Sequence, residues 1–124
     1  MEEVKFTFED LKVYEKAMDF IDITYSISSG FPKEESYGLS SQFIKAATSI
    51  ALNIAEGSGD TDSQCNRYLQ IAINSVKVCV VCVNIARRLD YLTNEQENDL
   101  RKKLVELSKM ITGLKKYLKS ITKD

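Results

Sequence analysis

Histidine is absent from this 124-residue sequence, and so is tryptophan. Histidine is the usual proton carrier at neutral pH, so its absence excludes Ser-His and Cys-His nucleophile pairs. The one glycine-rich loop, Gly57 to Asp60, does not end in the Gly-Lys-Ser/Thr of a phosphate-binding loop. We therefore expect a protein that is not an enzyme and that takes no small-molecule substrate.

Cysteine occurs three times, an odd number that argues against a disulfide framework. Cys79 and Cys82 form a C-x-x-C pair, but they lie among valines inside a predicted helix. A redox pair gains its low pKa at a helix N-terminus instead. A zinc site needs four ligands, and Cys65 is the only further thiol. We expect buried structural cysteines, no metal and no cofactor.

The first residues are polar and acidic, without the basic and apolar regions of a secretory signal. The longest apolar-rich stretch, residues 76–89, is interrupted by lysine, asparagine and arginine. Such a stretch is too short and too charged for a typical membrane span. The sequence therefore predicts a soluble, cytoplasmic protein with no membrane partner.

Turn-forming residues are scarce, with one proline and five glycines in the whole chain. A β-rich chain needs many turns, whereas a few long helices need few. Four stretches instead carry apolar residues at alternating spacings of three and four, the repeat of a helix with one buried face. We predict an all-α, up-down-up-down four-helix bundle that forms a single domain over residues 1–124.

Each predicted helix has one apolar seam. The first seam is Leu11, Tyr14, Met18, Ile21 and Tyr25, and the second is Phe43, Ala47, Ile50 and Ile54. The third is Leu69, Ala72, Val76, Cys79, Val83 and Ala86. The fourth is Leu100, Leu104, Leu107, Ile111, Leu114, Leu118 and Ile121. The predicted N-caps of the four helices are Thr7, Ser40, Thr61 and Thr93.

The third helix has more apolar surface than one bundle core can cover. Between residues 78 and 85 it is apolar around most of its circumference, although one face of a helix in a monomeric bundle should be wet. We therefore predict a second covered face, which makes a homo-oligomer. The predicted interface residues are Val78, Val81, Cys82 and Ile85.

Charge is distributed unevenly along the chain. Residues 1–35 carry nine acidic and four basic side chains, and residues 91–124 carry five acidic and eight basic ones. In the fourth helix a lysine recurs every seven residues opposite the seam, over roughly 30 Å at 1.5 Å per residue. The candidate nucleic-acid-binding residues are Lys102, Lys109, Lys116 and Lys123, flanked by Arg101 and Lys115.

This stripe has two interpretations. Lysines at a regular spacing could track the phosphates of RNA or DNA. Alternatively, the stripe keeps the protein soluble and pairs with acids of the first helix, which should neighbour the fourth in this topology; these acids are Glu15, Asp19 and Asp22. The sequence pI of about 5.6 and the lack of interleaved aromatic residues favour the second interpretation.

Several segments together resemble one protein family. Residues 8–17 are similar to its opening helix, and residues 31–39, beginning Phe31-Pro32, are similar to its connector. Residues 42–57, ending in Asn53-Ile54-Ala55-Glu56-Gly57, match its most distinctive motif, and residues 67–75 follow as expected. The chain resembles the four-helix bundle protein family, also called the 23S rRNA intervening-sequence protein family.

This resemblance implies a homopentamer of four-helix bundles without enzymatic activity. Some members of the family are encoded within intervening sequences of bacterial 23S rRNA genes. A related branch supplies accessory subunits to reverse transcriptases and binds nucleic acid. The partners that the resemblance implies are therefore further copies of the chain itself and RNA or a nucleic-acid enzyme.

Overall fold

Four helices account for most of residues 2–121, which the computed structural model describes. α1 spans Lys12–Ser28, α2 spans Leu39–Gly57, α3 spans Asp62–Arg88 and α4 spans Asn94–Ile121. Short 3-10 turns at Thr7–Asp10 and Lys33–Glu35 precede α1 and α2. No strand occurs in the described range, and short connections place successive helices side by side. The predicted all-α, up-down-up-down bundle is confirmed.

The starts of α3 and α4 are fixed by threonine caps, as the sequence predicts. Thr93 Oγ1 accepts a hydrogen bond from the Gln96 N–H at 3.1 Å, and the Gln96 side chain accepts one from the Thr93 N–H at 2.9 Å. Thr61 Oγ1 likewise accepts from the Gln64 N–H at 3.3 Å. These bonds satisfy amides that have no partner within the first helical turn.

The predicted caps of the first two helices are wrong. Thr7 begins a 3-10 turn, and α1 starts only at Lys12. α2 starts at Leu39, one residue before Ser40. Its first amide, the Leu39 N–H, donates to the Glu35 carboxylate at 3.2 Å. A carboxylate from the preceding turn therefore takes the place of the expected serine hydroxyl.

The seams of α2 and α3 form the centre of the core. All the residues predicted for these two seams are buried, as are the first four of the α4 seam, from Leu100 to Ile111. Burial then decreases along α4: Leu114 and Leu118 are partly buried, and Ile121 is 50% exposed. α3 and α4 are also the longest helices, with 27 and 28 residues against 17 in α1 and 19 in α2.

The predicted seam of α1 is wrong by one position. The buried residues are Val13, Ala17, Phe20, Thr24 and Ser28, and the first four have the same 4-3-4 spacing as the predicted seam from Tyr14 to Tyr25. Thr24 is compatible with the core because its hydroxyl donates to the Phe20 carbonyl at 2.8 Å. The larger apolar residues of the predicted seam lie on an adjacent face, where Met18 and Tyr25 are 39% and 56% exposed.

α2 and α3 make the most extensive helix–helix contact of the bundle. A Cβ added to Gly57 would lie 3.1 Å from Tyr68 Cβ and 3.3 Å from Cys65 Cα, so a side chain at this position would require α3 to shift by a few tenths of an ångström. A polar link also crosses the contact, because the hydroxyls of Ser49 and Ser75 lie 2.8 Å apart. This contact fixes the relative positions of the two helices.

α3 is also long and apolar enough, by length and composition, to cross a membrane. The segment that passes this test belongs to a core helix, and 44% of its residues are buried inside the bundle. Residues 76–89, on which the sequence-based exclusion of a membrane span rests, are only part of this helix. Core helices of soluble proteins have a similar composition, so length and composition do not distinguish a core helix from a membrane-spanning helix.

Candidate interaction surfaces

The predicted interface residues of α3 line an open groove between α2 and α3. Val78, Val81 and Ile85 are 43%, 54% and 41% exposed, whereas Cys82 is only 3% exposed and lies at the groove floor. The opposite wall includes Leu39 and Gln42, and the groove volume is about 340 Å³. We call this the α2/α3 groove. The predicted surplus of apolar surface on α3 is therefore present on the outside of the bundle.

The exposed apolar residues of α3 continue beyond this groove in both directions. Together they form the α3 stripe, interrupted by the polar Asn74: Ile71, Val78, Val81, Ile85 and Leu89. Their spacing repeats that of a buried seam, but each member is more than one-third exposed. The stripe thus has the pattern of a helix–helix contact without a helix against it in the single chain.

Contacts at one end of the α2/α3 groove hold its wall in place. The Glu35 carboxylate accepts from the Leu39 N–H and, at 3.0 Å, from the Tyr91 hydroxyl. The Tyr91 ring also packs on Phe31, with ring centroids 5.4 Å apart. The hydrogen bond to Glu35 raises the pKa of Tyr91, and burial and the charges of Glu35 and Glu34 add to this effect. The connector before α2 is therefore hydrogen-bonded to, and packed against, the turn between α3 and α4.

A second open groove, between α1 and α2, was missed by sequence reasoning. Its volume is about 400 Å³ and its lining is mostly apolar: Phe8, Tyr14, Met18, Ile21, Tyr25 and Leu52, with Thr48, Ala51 and Ala55. We call it the α1/α2 groove. Phe8 closes one end, where its ring meets Tyr14 edge-on at 5.0 Å.

The α1/α2 groove contains the residues that the sequence assigns to the core. Tyr14, Met18, Ile21 and Tyr25, which we call the α1 stripe, lie beside the buried face of α1. The sequence also contains a second set of residues at the same spacing, one residue earlier, and this set is the buried one. Its members include the small Ala17 and the polar Thr24, which hydrophobicity alone does not select but which fit where helices approach closely.

The two stripes have rims of opposite charge. Glu15 and Asp22 are exposed on the outer side of the α1 stripe, at the positions that helical geometry places next to it. Lys77 and Arg88 are exposed on the outer side of the α3 stripe. The sequence from Ser63 to Leu89 contains no aspartate or glutamate. The outer rim of the α1 stripe is therefore acidic and that of the α3 stripe basic, whereas the inner side of the α3 stripe adjoins Glu35.

The predicted lysine stripe is only partly a free surface. Lys102, Lys109 and Lys116 are exposed along α4, and Lys123 lies outside the described residues. Arg101 donates to Asn84 at 2.8 Å and Lys115 donates to Gln70, so both join α4 to α3. We call the three exposed lysines, Lys102, Lys109 and Lys116, the lysine stripe.

The expected pairing of these lysines with acids of α1 does not occur. Within residues 2–121 the only ion pair between α1 and α4 joins Lys16 to Glu106 at 3.4 Å, with the charges reversed relative to the prediction. No acidic side chain in that range lies within ion-pair distance of the lysine stripe. The predicted pairing of the lysine stripe with Glu15, Asp19 and Asp22 is therefore wrong, although Asp19 and Lys103 line one crevice between α1 and α4.

Cys79 and Cys82 are buried, as predicted for structural residues, whereas Cys65 is only partly buried. Burial and then the neighbouring Cys82 raise the pKa of Cys79 to about 12, and burial also raises the pKa of Cys82. Burial, followed by Asp62 and Asp60, raises the pKa of Cys65. Reactive thiols need the opposite shift, towards the thiolate. Among the described residues, no three histidine, cysteine or acidic side chains are grouped so that they could hold a metal ion.

Comparison with known proteins agrees with this architecture. The sequence model of the family described as 23S rRNA-intervening sequence protein matches residues 9–113. A crystal structure of a protein with unknown function from the S23 ribosomal protein family of Bacteroides thetaiotaomicron is similar, with a TM-score of 0.77 and 21% identity. The similarity covers 84% of this chain and 98% of that chain, and at this identity it shows the fold alone. No curated protein matches the sequence.

Proposed function

Because the chain belongs to the 23S rRNA-intervening sequence protein family, we propose that it is a non-catalytic scaffold that assembles from several copies of itself. The observation that carries the proposal is the α3 stripe, whose five large apolar residues are all more than one-third exposed. Exposed apolar patches on soluble proteins typically mark interaction sites, and the part of the stripe from Val78 to Leu89 has no polar interruption. Covering the stripe with another copy removes it from water, which favours assembly.

The proposal that the protein is not an enzyme rests on its side chains. The sequence has no histidine, and the raised thiol pKa values of Cys65, Cys79 and Cys82 keep all three protonated at neutral pH. All three cysteines are free, which suits the reducing cytoplasm and supports that location. Partners are then macromolecules that contact the outer surface, and no cofactor, small-molecule substrate or membrane takes part.

The assembly is tested by its mass in solution. Light scattering during size-exclusion chromatography should give a mass several times that of the 14.1 kDa chain at micromolar concentration. The resemblance to pentameric family members makes a value five times that of the chain the expected result. A mass of one chain across the peak, unchanged on dilution or concentration, would contradict the proposal.

A second candidate function is RNA binding through the lysine stripe. The observation in its favour is that Lys102, Lys109 and Lys116 are exposed and have no acidic partner among the described residues. Exposed lysines at a regular spacing along one helix can neutralise successive phosphates. In an oligomer the stripes of several copies would add together. The salt dependence of RNA binding, compared between the unaltered protein and a variant without the lysine stripe, tests this candidate function.

A further inference from the structure

Two unpartnered surfaces on one chain raise the question of what covers each of them. The α1 stripe and the α3 stripe both repeat the spacing of a helix seam. All members of the α3 stripe are exposed, whereas in the α1 stripe Met18 and Tyr25 are exposed and the other two pack partly against the core. α2 contributes to both grooves, with Leu52 in the α1/α2 groove and Leu39 in the α2/α3 groove. The two surfaces therefore lie on adjacent sides of the bundle, separated by the outer ridge of α2.

The two surfaces differ in shape and in side chains. The α1/α2 groove is the more voluminous and is lined by aromatic, methionine and leucine side chains. The α3 stripe is built mainly from β-branched side chains standing on the outside of one helix. Such a row of side chains matches a groove between two helices better than it matches a copy of itself.

The charges at the outer rims favour one of the possible pairings between the α1 stripe and the α3 stripe of two copies. Two α1 stripes in contact would bring Glu15 and Asp22 towards the same acids, and two α3 stripes would bring Lys77 and Arg88 towards the same bases. Contact between the α1 stripe and the α3 stripe brings acids towards bases instead. Opposite charges at a rim favour the correct encounter, whereas like charges oppose it.

We propose that the α3 stripe of one copy packs along the α1/α2 groove of the next copy, in a head-to-tail contact. This inference rests on the proposed self-association and names the two surfaces that make it. Because each copy has one surface of each kind, every contact leaves one surface free at each end of a chain of copies. Because the two surfaces lie on adjacent sides of the bundle, successive copies turn relative to one another, and such a chain closes into a ring where the rotation per copy divides a full turn.

Two pairs of substitutions separate the surfaces. Met18→Glu with Tyr25→Glu introduces charge into the α1 stripe, and Val81→Glu with Ile85→Glu introduces it into the α3 stripe. All four positions are more than one-third exposed, so the fold should be retained, as circular dichroism can verify. Val105→Glu with Tyr117→Glu, at exposed apolar positions of α4, is the matched control.

We expect each stripe variant alone to be monomeric and the α4 control to keep the mass of the unaltered protein. Mixed in equal amounts, the two stripe variants should form a complex of two chains, because each retains the surface that the other lacks. That complex cannot grow further, since its remaining surfaces are both altered. A contact between two identical surfaces could not give this result.

Charge reversal provides a second test that leaves both apolar stripes intact. Glu15→Lys with Asp22→Lys, or Lys77→Glu with Arg88→Glu, should each weaken assembly at least tenfold at low salt. All four substitutions in one chain should restore it. The head-to-tail contact would be overturned if the two stripe variants formed no mixed complex. It would also be overturned if the four charge reversals together did not restore assembly, even where the unaltered protein is oligomeric. A monomeric unaltered protein would instead refute the proposed function itself.

Discussion

The Tyr91 hydroxyl donates a hydrogen bond to the Glu35 carboxylate at 3.0 Å, although the two residues are 56 positions apart in the sequence. This bond links the connector before α2 to the turn between α3 and α4. It also forms one end of the α2/α3 groove, whose lining includes Glu35. The stability of that end of the bundle should therefore depend on the protonation state of Tyr91.

Replacing Tyr91 with phenylalanine should change how stability depends on pH. The folded protein raises the pKa of Tyr91 above its ordinary value of about 10. Its contribution to stability is therefore complete below about pH 10 and is lost as the pH rises through the higher folded value. Tyr91→Phe should lower the melting temperature at pH 7 and reduce the further fall above pH 10. Tyr37→Phe, at a fully exposed position, is the control and should match the unaltered protein.

Substituting Gly57 should separate α2 from α3. The added methyl group of Gly57→Ala would lie 3.1 Å from Tyr68 Cβ and 3.3 Å from backbone atoms of Cys65. Overpacking of this kind costs roughly 1–3 kcal/mol of unfolding free energy, measured by urea denaturation. At Gly113, inside α4, a Cβ meets nothing within 4 Å. Gly113→Ala should instead stabilise by about 0.5–1 kcal/mol, and equal effects at both sites would refute the explanation.

Cys79 should behave as a core residue and not as a reactive thiol. Its pKa of about 12 lies far above the ordinary value near 8.5, so its contribution to stability is complete below about pH 8.5. That contribution is lost as the pH rises towards 12. Cys79→Ala should cost roughly 1 kcal/mol at pH 7, as expected for one small buried group. It should also make the alkaline loss of stability shallower. Rapid modification of native Cys79 by a thiol reagent at pH 8 would argue against this assignment.

The lysine stripe should control the salt dependence of any RNA binding. If each of Lys102, Lys109 and Lys116 neutralises one phosphate of a single strand, the slope of log affinity against log salt should fall by roughly 2 in the three-Gln variant. Gel-shift titrations between 0.05 and about 0.2 M salt measure this slope. Lys12, Lys33 and Lys45, also exposed, provide a control of equal charge change. Equal losses in both variants would indicate a general charge effect without a site on α4.

Sequence periodicity predicts α2, α3 and most of α4 correctly because the residues at alternating spacings of three and four are the buried ones, even in α3, where larger apolar residues such as Ile71 and Ile85 lie outside. It fails in α1, where Ala17 and Thr24 are buried while Met18 and Tyr25 lie in the α1/α2 groove. Hydrophobicity alone favours the larger set. The smaller set is buried because of its fit against neighbouring helices and because the Thr24 hydroxyl bonds to its own helix.

The candidate surfaces, too, can be predicted from the sequence only in part. The surplus on α3 can be read from the sequence, since Val78, Val81 and Ile85 add to a seam that is already complete. The α1/α2 groove does not follow from spacing, because two sets of α1 residues have the same spacing and packing against the neighbouring helices decides which of them faces inwards. The pairing expected between acids of α1 and the lysine stripe fails in part for the same reason, because Glu15 and Asp22 lie beside the α1 stripe. Asp19 does face α4, but it shares a crevice with Lys103, which is not a member of the lysine stripe.

The unequal helix lengths have a consequence for the order of unfolding. At 1.5 Å per residue α4 is about 42 Å long and α1 about 26 Å, so part of α4 lacks α1 as a neighbour. The decline in burial from Ile111 through Leu118 to Ile121 follows that geometry. Backbone amides after Leu114 should therefore exchange with deuterium through local opening. Those beside Leu104 should exchange only when the whole bundle unfolds.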